Sequence, residues 1–367
     1  MTTSVARGHV LAFRVRSQQL DRDAGTLDDT AILDLGVQDT GPDGALWALA
    51  LRGVAVGDLP QDALVTVWTV RGAPHVYRRA ELAEVAAAVQ PFSDDDAGRR
   101  IYDAAKPLRA AGISNLEALD AVAAAMRSVV TSPMVKGEVS TRLTALLDDP
   151  YLRYCHPCAA THLYEMPFRL AALRAGLELQ PGTSPPVLRP VPGLVPAPDV
   201  PARLDVVRGY LRLLGPATPQ QVAGYLDAPV ADVRSRWPDD ATEVIVDSER
   251  RWALADDVDA LTGTGRMRTT RLLGPFDLYL QGRDRSLLVA DSAHAKALWP
   301  ALGRPGAVLV DGEVAGTWRP RATGSRLRLQ VDLWRRATAR LRADIEEQAA
   351  RLAAHRGVQL TAVDVSG

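Results

Sequence analysis

Eight of the 25 prolines in this 367-residue chain fall within residues 180–202, QPGTSPPVLRPVPGLVPAPDVPA. Proline fixes φ and removes a backbone donor, so this density argues against helix and central strand and predicts an extended spacer over 181–202. The chain is therefore expected to fold as separate halves, and its length suits two to four small domains. A shorter break is expected at Pro91-Phe92-Ser93-Asp94.

The segment after the spacer carries the clearest pattern. Residues 204–214, LDVVRGYLRLL, place apolar side chains at helical spacing, and Gly215-Pro216 stops them. Thr218-Pro219 opens a second helix, with the hydroxyl as cap and proline in the first turn, and QQVAGYL continues it. Pro229 opens a third, VADVRSRW, and TEVIVDSERRWAL then reads as strand, turn, strand. Three short helices and a hairpin predict a winged helix over 203–258. Residues 1–95 repeat this plan more loosely, with helices expected at 9–20 and 27–35 and a hairpin at 64–78 turning at Arg71-Gly72. Residues 96–180 predict helices near 115–127, 133–147 and 163–175, with a short extended piece between the last two. In 259–367, strands are expected at 286–290, 307–310, 313–318 and 326–332, with Asp311-Gly312 as a tight turn. A helix over 333–354, with one apolar stripe, is expected to close the chain. The fold class is α+β: three winged-helix units in series followed by a β-rich module.

The formal net charge of −1 does not suggest a nucleic-acid binder. Phosphate contacts need only a local basic surface, however, so the balance excludes nothing of that kind. Lysine occurs only at Lys106, Lys136 and Lys296, so nearly all of the 43 basic residues are arginine. A GC-rich coding bias explains this, and arginine also suits forked contacts to phosphate and guanine edges. No apolar run approaches the roughly 18 residues that span a bilayer. The N-terminal MTTSVARGHV lacks the apolar stretch of a secretory signal. A cytoplasmic, nucleoid-associated monomer without cofactor or membrane partner is expected.

Three stretches stand out together. Gly36-Val37-Gln38-Asp39-Thr40 precedes Gly44-Ala45-Leu46-Trp47-Ala48-Leu49-Ala50-Leu51-Arg52, and Trp68-Thr69-Val70-Arg71-Gly72-Ala73-Pro74-His75 carries an R-G-x-x-H hairpin. Leu273-Gly274-Pro275-Phe276-Asp277 leads to Gly282-Arg283-Asp284-Arg285 and on to Val308-Leu309-Val310-Asp311-Gly312-Glu313-Val314-Ala315-Gly316-Thr317-Trp318-Arg319. This layout resembles the winged-helix DNA-binding superfamily that includes the AlkZ- and YcaQ-type DNA glycosylases, over nearly the whole chain. The resemblance implies three tandem winged helices in a C-shaped arrangement around duplex DNA, a β-rich scaffold, and excision of N7-alkylguanines or unhooking of crosslinks. It also implies a catalytic loop of glutamine, an apolar residue, then glutamine or aspartate. This chain matches at Gln38, and has Asp39 and Thr40 at the next two positions.

The chemistry of such a loop is simple. An N7-alkylated guanine is cationic and already a good leaving group, so a held water and a dipole facing the oxocarbenium-like sugar suffice. The Gln38 amide can orient a water. In an extended loop, residues i and i+2 face one side, so Gln38 and Thr40 could share that water while Asp39 faces away. If a turn brings Asp39 round, it becomes the charge stabiliser or base. QDTGPDG is equally the composition of an ordinary turn-rich loop.

DNA contacts are expected from Arg71 and His75 around the hairpin tip, from Lys136 at a helix start, and from Arg234 and Arg236 on the third helix of 203–258. Arg250 and Arg251 lie on the wing of that unit, and Arg319, Arg321, Arg326 and Arg328 form a basic cluster near the C-terminus. A solvated face explains most of these charges as well. Trp47, Trp68, Trp318 and Trp334 are expected in the core. Cys155-His156-Pro157-Cys158 is a C-x-x-C with His162 four residues on. Zinc prefers four ligands, and His75 is the distant fourth candidate. Two half-buried thiols at a bend are the simpler expectation, so no metal is expected. A non-catalytic winged-helix DNA binder and a metal or redox protein are the alternatives to a glycosylase.

Overall fold

The computed structural model describes residues 3–42, 44–263 and 267–367. It divides into two compact units: Met1–Leu59 with Gly209–Gln221 and Pro238–Gly367, and Pro60–Arg208 with Val222–Trp237. The division falls inside the helices Val206–Leu214 and Pro219–Leu226.

The first unit is built on a five-stranded sheet in the order Thr270–Leu273, Gly306–Val310, Glu313–Thr323, Arg326–Leu333, Gln359–Ser366. Strand Arg326–Leu333 alternates strictly between exposed and buried residues. Leu327, Leu329 and Val331 enter one core with Leu341, Ile345, Ala349 and Leu352 of the helix Ala339–His355. That helix starts at Ala339 because the Thr338 hydroxyl accepts the Leu341 amide at 3.2 Å. Asp311 and Gly312 take φ of 51° and 85°, the left-handed pair that a two-residue hairpin turn needs. The helix Arg7–Ser17 adds Val10, Leu11, Phe13 and Val15 to the same core. A smaller sheet pairs Ala241–Val246 with Glu249–Leu254 antiparallel and with Thr3–Val5 parallel.

Two expectations for this unit are corrected. Residues 286–290 do not form a strand, because Arg285–Leu288 is a short helix. The helix Ala339–His355 does not close the chain either, since Gln359–Ser366 follows and pairs parallel to Arg326–Leu333. Parallel strands are joined by a crossover helix and leave no turn signal in the sequence.

The second unit holds strands in the order Pro74–Arg78, Leu64–Trp68, Leu177–Leu179, Val187–Pro190, Met134–Val135. The helix Asn115–Val129 opens with a reciprocal cap between Ser114 and Glu117 and buries Ala118, Leu119, Val122, Ala123 and Met126. These pack with Phe168, Ala171 and Ala172 of the helix Glu165–Arg174. Part of the proline-rich segment departs from its expected role. Val187–Pro190 is an interior strand, and Leu188 is fully buried. Val187, Leu188 and Arg189 form the window between Pro186 and Pro190 where backbone donors survive, and that window is what the sheet uses. Residues 191–203 form neither helix nor strand.

Helices Val206–Leu214, Pro219–Leu226 and Val230–Ser235 precede the hairpin Ala241–Val246 and Glu249–Leu254, in the expected order. Among the described residues, no helix is long and apolar enough to cross a membrane.

Candidate functional site

Gly36, at φ 87°, ends the helix Ile32–Leu35 and turns the chain into the extended pair Val37–Gln38. Val37 is buried and Gln38 half-buried, as alternation along an extended segment requires. The Gln38 amide nitrogen donates to the Thr40 hydroxyl at 3.1 Å, so these two side chains do share one side of the loop. The Gln38 carbonyl accepts from the Gln281 amide at 3.1 Å, and Gln281 also donates to the Phe276 carbonyl at 3.1 Å.

Asp39 is engaged elsewhere. Its carboxylate accepts the Ala45 amide at 3.0 Å and caps the helix Ala45–Ala50. A Cβ at Gly44 would lie 2.3 Å from Asp39 Oδ1, so the cap requires glycine there. The structure therefore assigns Asp39 a capping bond where the sequence left open a role as base. Asp43, in the same loop, lies outside the described residues.

A buried ion pair underlies this loop. Arg52, just past the helix that Asp39 caps, is fully buried and reaches Asp277 through two hydrogen bonds of 2.9 and 3.0 Å. Arg52 also donates to the carbonyls of Gln18 and Ala48, each at 2.8 Å. Asp277 in turn accepts the Tyr279 amide at 3.0 Å and caps the turn Leu278–Gln281. Gln38 and Gln281 thus stand on one frame. Nearby in sequence, Asp284 takes Arg14 at 2.6 and 3.0 Å and also takes Arg251. Burial pushes the Asp284 carboxyl up, but Arg14 and Arg251 outweigh it and hold it below the usual carboxylate range. Trp47 and Trp318 donate their indole N–H groups to the carbonyls of Leu272 and Leu273 at 2.8 and 2.9 Å.

Sequence reasoning did not single out Gln281, Arg52, Asp277, Arg14 or Asp284 as site or bracing residues. Arg52, Asp277 and Asp284 lie in the stretches that carried the resemblance; Arg52 and Asp277 meet as a buried pair, and Asp284 pairs with Arg14 and Arg251. The family model of DNA glycosylase AlkZ-like proteins matches residues 32–355. The chain belongs to the AlkZ-like DNA glycosylase family. It is 32% identical over 136 residues to an interstrand DNA cross-link repair glycosylase of Streptomyces sahachiroi, a stretch covering 34% of this chain and 36% of that protein. The match thus spans about a third of that relative's length. The solved structure of the Streptomyces sahachiroi DNA glycosylase AlkZ aligns with a TM-score of 0.75 at 22% identity, over 100% of both chains, which shows a shared mixed α+β fold.

The other sequence-derived candidates fall into two groups. Arg71, Lys136 and His75 are committed within the second unit. Arg71 takes φ 58°, donates to the Tyr225 carbonyl at 2.6 Å and lies over the Tyr225 ring at 4.6 Å. Its turn packs on the helix Glu165–Arg174, where a Cβ at Gly72 would meet Met166 Cε at 2.9 Å. His75 is 1% exposed, with Nδ1 3.0 Å from both the Thr69 hydroxyl and the Ala73 carbonyl. Burial, aided by the Arg71 charge, pushes this imidazole down to about 3, so it is neutral near pH 7. The expectation of His75 on DNA is corrected: every residue of its strand from His75 to Arg78 is buried, and Thr69 receives the imidazole. Lys136 binds both oxygens of Glu165 at 2.8 and 2.9 Å.

The second group is exposed. Arg234 and Arg236 lie on and just after the helix Val230–Ser235, with Arg236 over the Phe92 ring at 4.6 Å. Arg250, on its hairpin, is 73% exposed, whereas Arg251 is buried against Asp284. Arg319, Arg321 and Arg326 are exposed on the long hairpin of the first unit, Arg319 donating to the Gly303 carbonyl at 2.7 Å. Arg321 faces Arg328 in register, and Arg328 pairs with Asp364. Trp47, Trp68 and Trp318 are buried as expected, and Trp334, half-buried, stacks on His294 at 4.3 Å.

Cys155 and Cys158 sit at the tip of the hairpin Leu152–Cys155 and Ala160–Leu163. The hydrogen bond between His162 and Cys155, with those from Cys158, brings the Cys155 thiol down to about 7. His75 is not part of this cluster.

Proposed function

We propose that this chain is a monofunctional glycosylase that releases N7-alkylated purines from double-stranded DNA by water attack. The observation that carries the reading is the Gln38 amide, half-buried and oriented by Thr40 on one side and Gln281 on the other. A carbonyl oxygen has two lone pairs, and Gln281 uses one of those on Gln38; the other can accept from a water. The bond from C1′ to N9 breaks with its electrons going to the cationic base, which leaves neutral. Water oxygen then bonds to C1′ and loses its proton to solvent, giving an abasic sugar. The amide dipole and the Thr40 hydroxyl face the charge that develops on the sugar. No lysine lies near the loop in sequence to form a Schiff base, so water is the nucleophile.

The same cleavage on one arm of an interstrand crosslink unhooks it, and the similarity to the interstrand DNA cross-link repair glycosylase of Streptomyces sahachiroi supports including that substrate. Winged-helix units over 1–95, 96–180 and 203–258 form the DNA-binding framework of this reading, beside a β-rich scaffold over 259–367; the helix, helix, helix, hairpin order after residue 203 supports it. Exposed Arg234, Arg236, Arg319 and Arg321 are the side chains available for phosphate. Arg71 and Lys136 act by fixing their own elements.

A second reading is a DNA-binding protein without catalysis. Asp39 spent on a helix cap and Thr40 in place of a glutamine or carboxylate favour it. Free-base release from duplexes carrying a single N7-methylguanine, followed together with duplex affinity, separates the two. Base release with an abasic product supports the glycosylase, and tight binding without release supports the second reading.

A further inference from the structure

We propose that Cys155, Cys158 and His162 form a binding site for a soft divalent cation, zinc foremost, with a water as fourth ligand. The three ligating atoms lie within 4.8 Å of one another. That is close to the spacing of a tetrahedral site, whose bonds of about 2.0–2.3 Å set ligands under 4 Å apart. The site is independent of the Gln38 loop and of the glycosylase reading.

The backbone builds this cluster. Cys155 ends one strand, Ala160–Leu163 is the other, and Arg153 pairs with His162 in register. Residues 156–159 form the turn, in which Ala159 takes φ 49° and donates to the His156 carbonyl at 3.2 Å. The reversal brings Cys158 back beside Cys155, and the Cys158 backbone N–H bonds to the Cys155 sulfur. Amide donation to sulfur is what a metal thiolate needs to disperse its charge.

The histidine is set in the right tautomer. His162 Nδ1 lies 2.8 Å from the Leu163 carbonyl, which can only accept. Nδ1 therefore carries the proton, and Nε2 keeps the lone pair that would bind metal.

Packing gives a second, separate reason. In this hairpin of two four-residue strands, only Leu163 is buried, and Tyr154 is 57% exposed. Two short strands with so little apolar cover are marginal alone, and a metal clamp at the tip supplies what the core does not. Both thiols release a proton on binding, so two thiolates balance the dication.

Reduced full-length protein, dialysed metal-free and then given zinc alone, is expected to retain one equivalent after desalting. Cobalt(II) in its place is expected to give a thiolate-to-metal charge-transfer band. The Cys155→Ser/Cys158→Ser pair lies at an exposed tip, so far-ultraviolet dichroism should not change, while both signals vanish. His162→Ala should lose stoichiometric retention and keep the fold. Equal zinc retention by the double serine variant would overturn the site. So would wild type that holds no zinc while both reduced thiols titrate freely, or that forms a Cys155–Cys158 disulfide and binds no metal once reduced.

Discussion

The frame beneath Gln38 and the hairpin that ends in Cys155 treat ionisable groups in opposite ways. In the first, Arg14, Arg52, Asp277 and Asp284 are buried as charges, each with a partner within hydrogen-bond distance. In the second, two thiols and an imidazole stand at a tip with almost no apolar cover. Buried pairs are poor sources of net stability, because desolvation offsets most of the attraction. Their use is orientation: Asp277 ties the turn Leu278–Gln281 to Arg52, and Asp284 ties the start of the helix Arg285–Leu288 to Arg14 and Arg251, all far away in sequence. A glycosylase that relies on a neutral amide to place a water needs that amide held still. The hairpin is held instead by the backbone pairing of two four-residue strands, with Arg153 reaching Asp103 at the surface.

The largest expected effect comes from breaking the frame. Asp277→Ala strands the buried Arg52 charge and should cost about 3–5 kcal/mol in urea unfolding. Arg52→Met/Asp277→Leu should restore most of that stability and still release base slowly, because the turn cap on Gln281 is gone. Recovery of full activity in this pair would show that the frame does not position the site.

The second unit gives a pH test. His75 has a folded value of about 3 against 6.5 ordinarily. Below pH 6.5 the unfolded chain binds a proton that the folded one refuses, until pH approaches 3. Stability is therefore whole above 6.5 and falls between these limits, by at most about 1.4 kcal/mol per pH unit. His75→Gln should flatten that decline in unfolding titrations; an unchanged slope would mean that His75 is protonated when folded.

Smaller effects are expected at the loop. Gly44→Ala should expel the Asp39 carboxylate and cost about 1 kcal/mol, the worth of a helix cap. Gln281→Ala should slow base release by about 10-fold, near 1.4 kcal/mol, with unchanged stability. Equal loss of release and stability would make Gln281 a packing residue.

Much of this was legible in sequence because it rests on local rules. The hairpin at 64–78, the helices and hairpin after 203, the Asp311-Gly312 turn and the shared side of Gln38 and Thr40 follow from spacing and turn chemistry. The buried tryptophans followed from their apolar surroundings. What escaped depends on distant partners. Thr3–Val5 and Gln359–Ser366 pair parallel to strands that no local turn announces. Val187–Pro190 hid among prolines. Arg52 carries no local sign of a buried pair, because its partner Asp277 lies 225 residues away. His75 read as a hairpin tip, whereas its strand is buried on both faces and packs the imidazole against Thr69.

The most direct test is single-turnover release of N7-methylguanine from duplex DNA by wild type and by Gln38→Ala, with duplex affinity measured on both. The account predicts release by wild type and a loss of about 10²–10³-fold in the variant at unchanged affinity. Equal rates in the two proteins would contradict it.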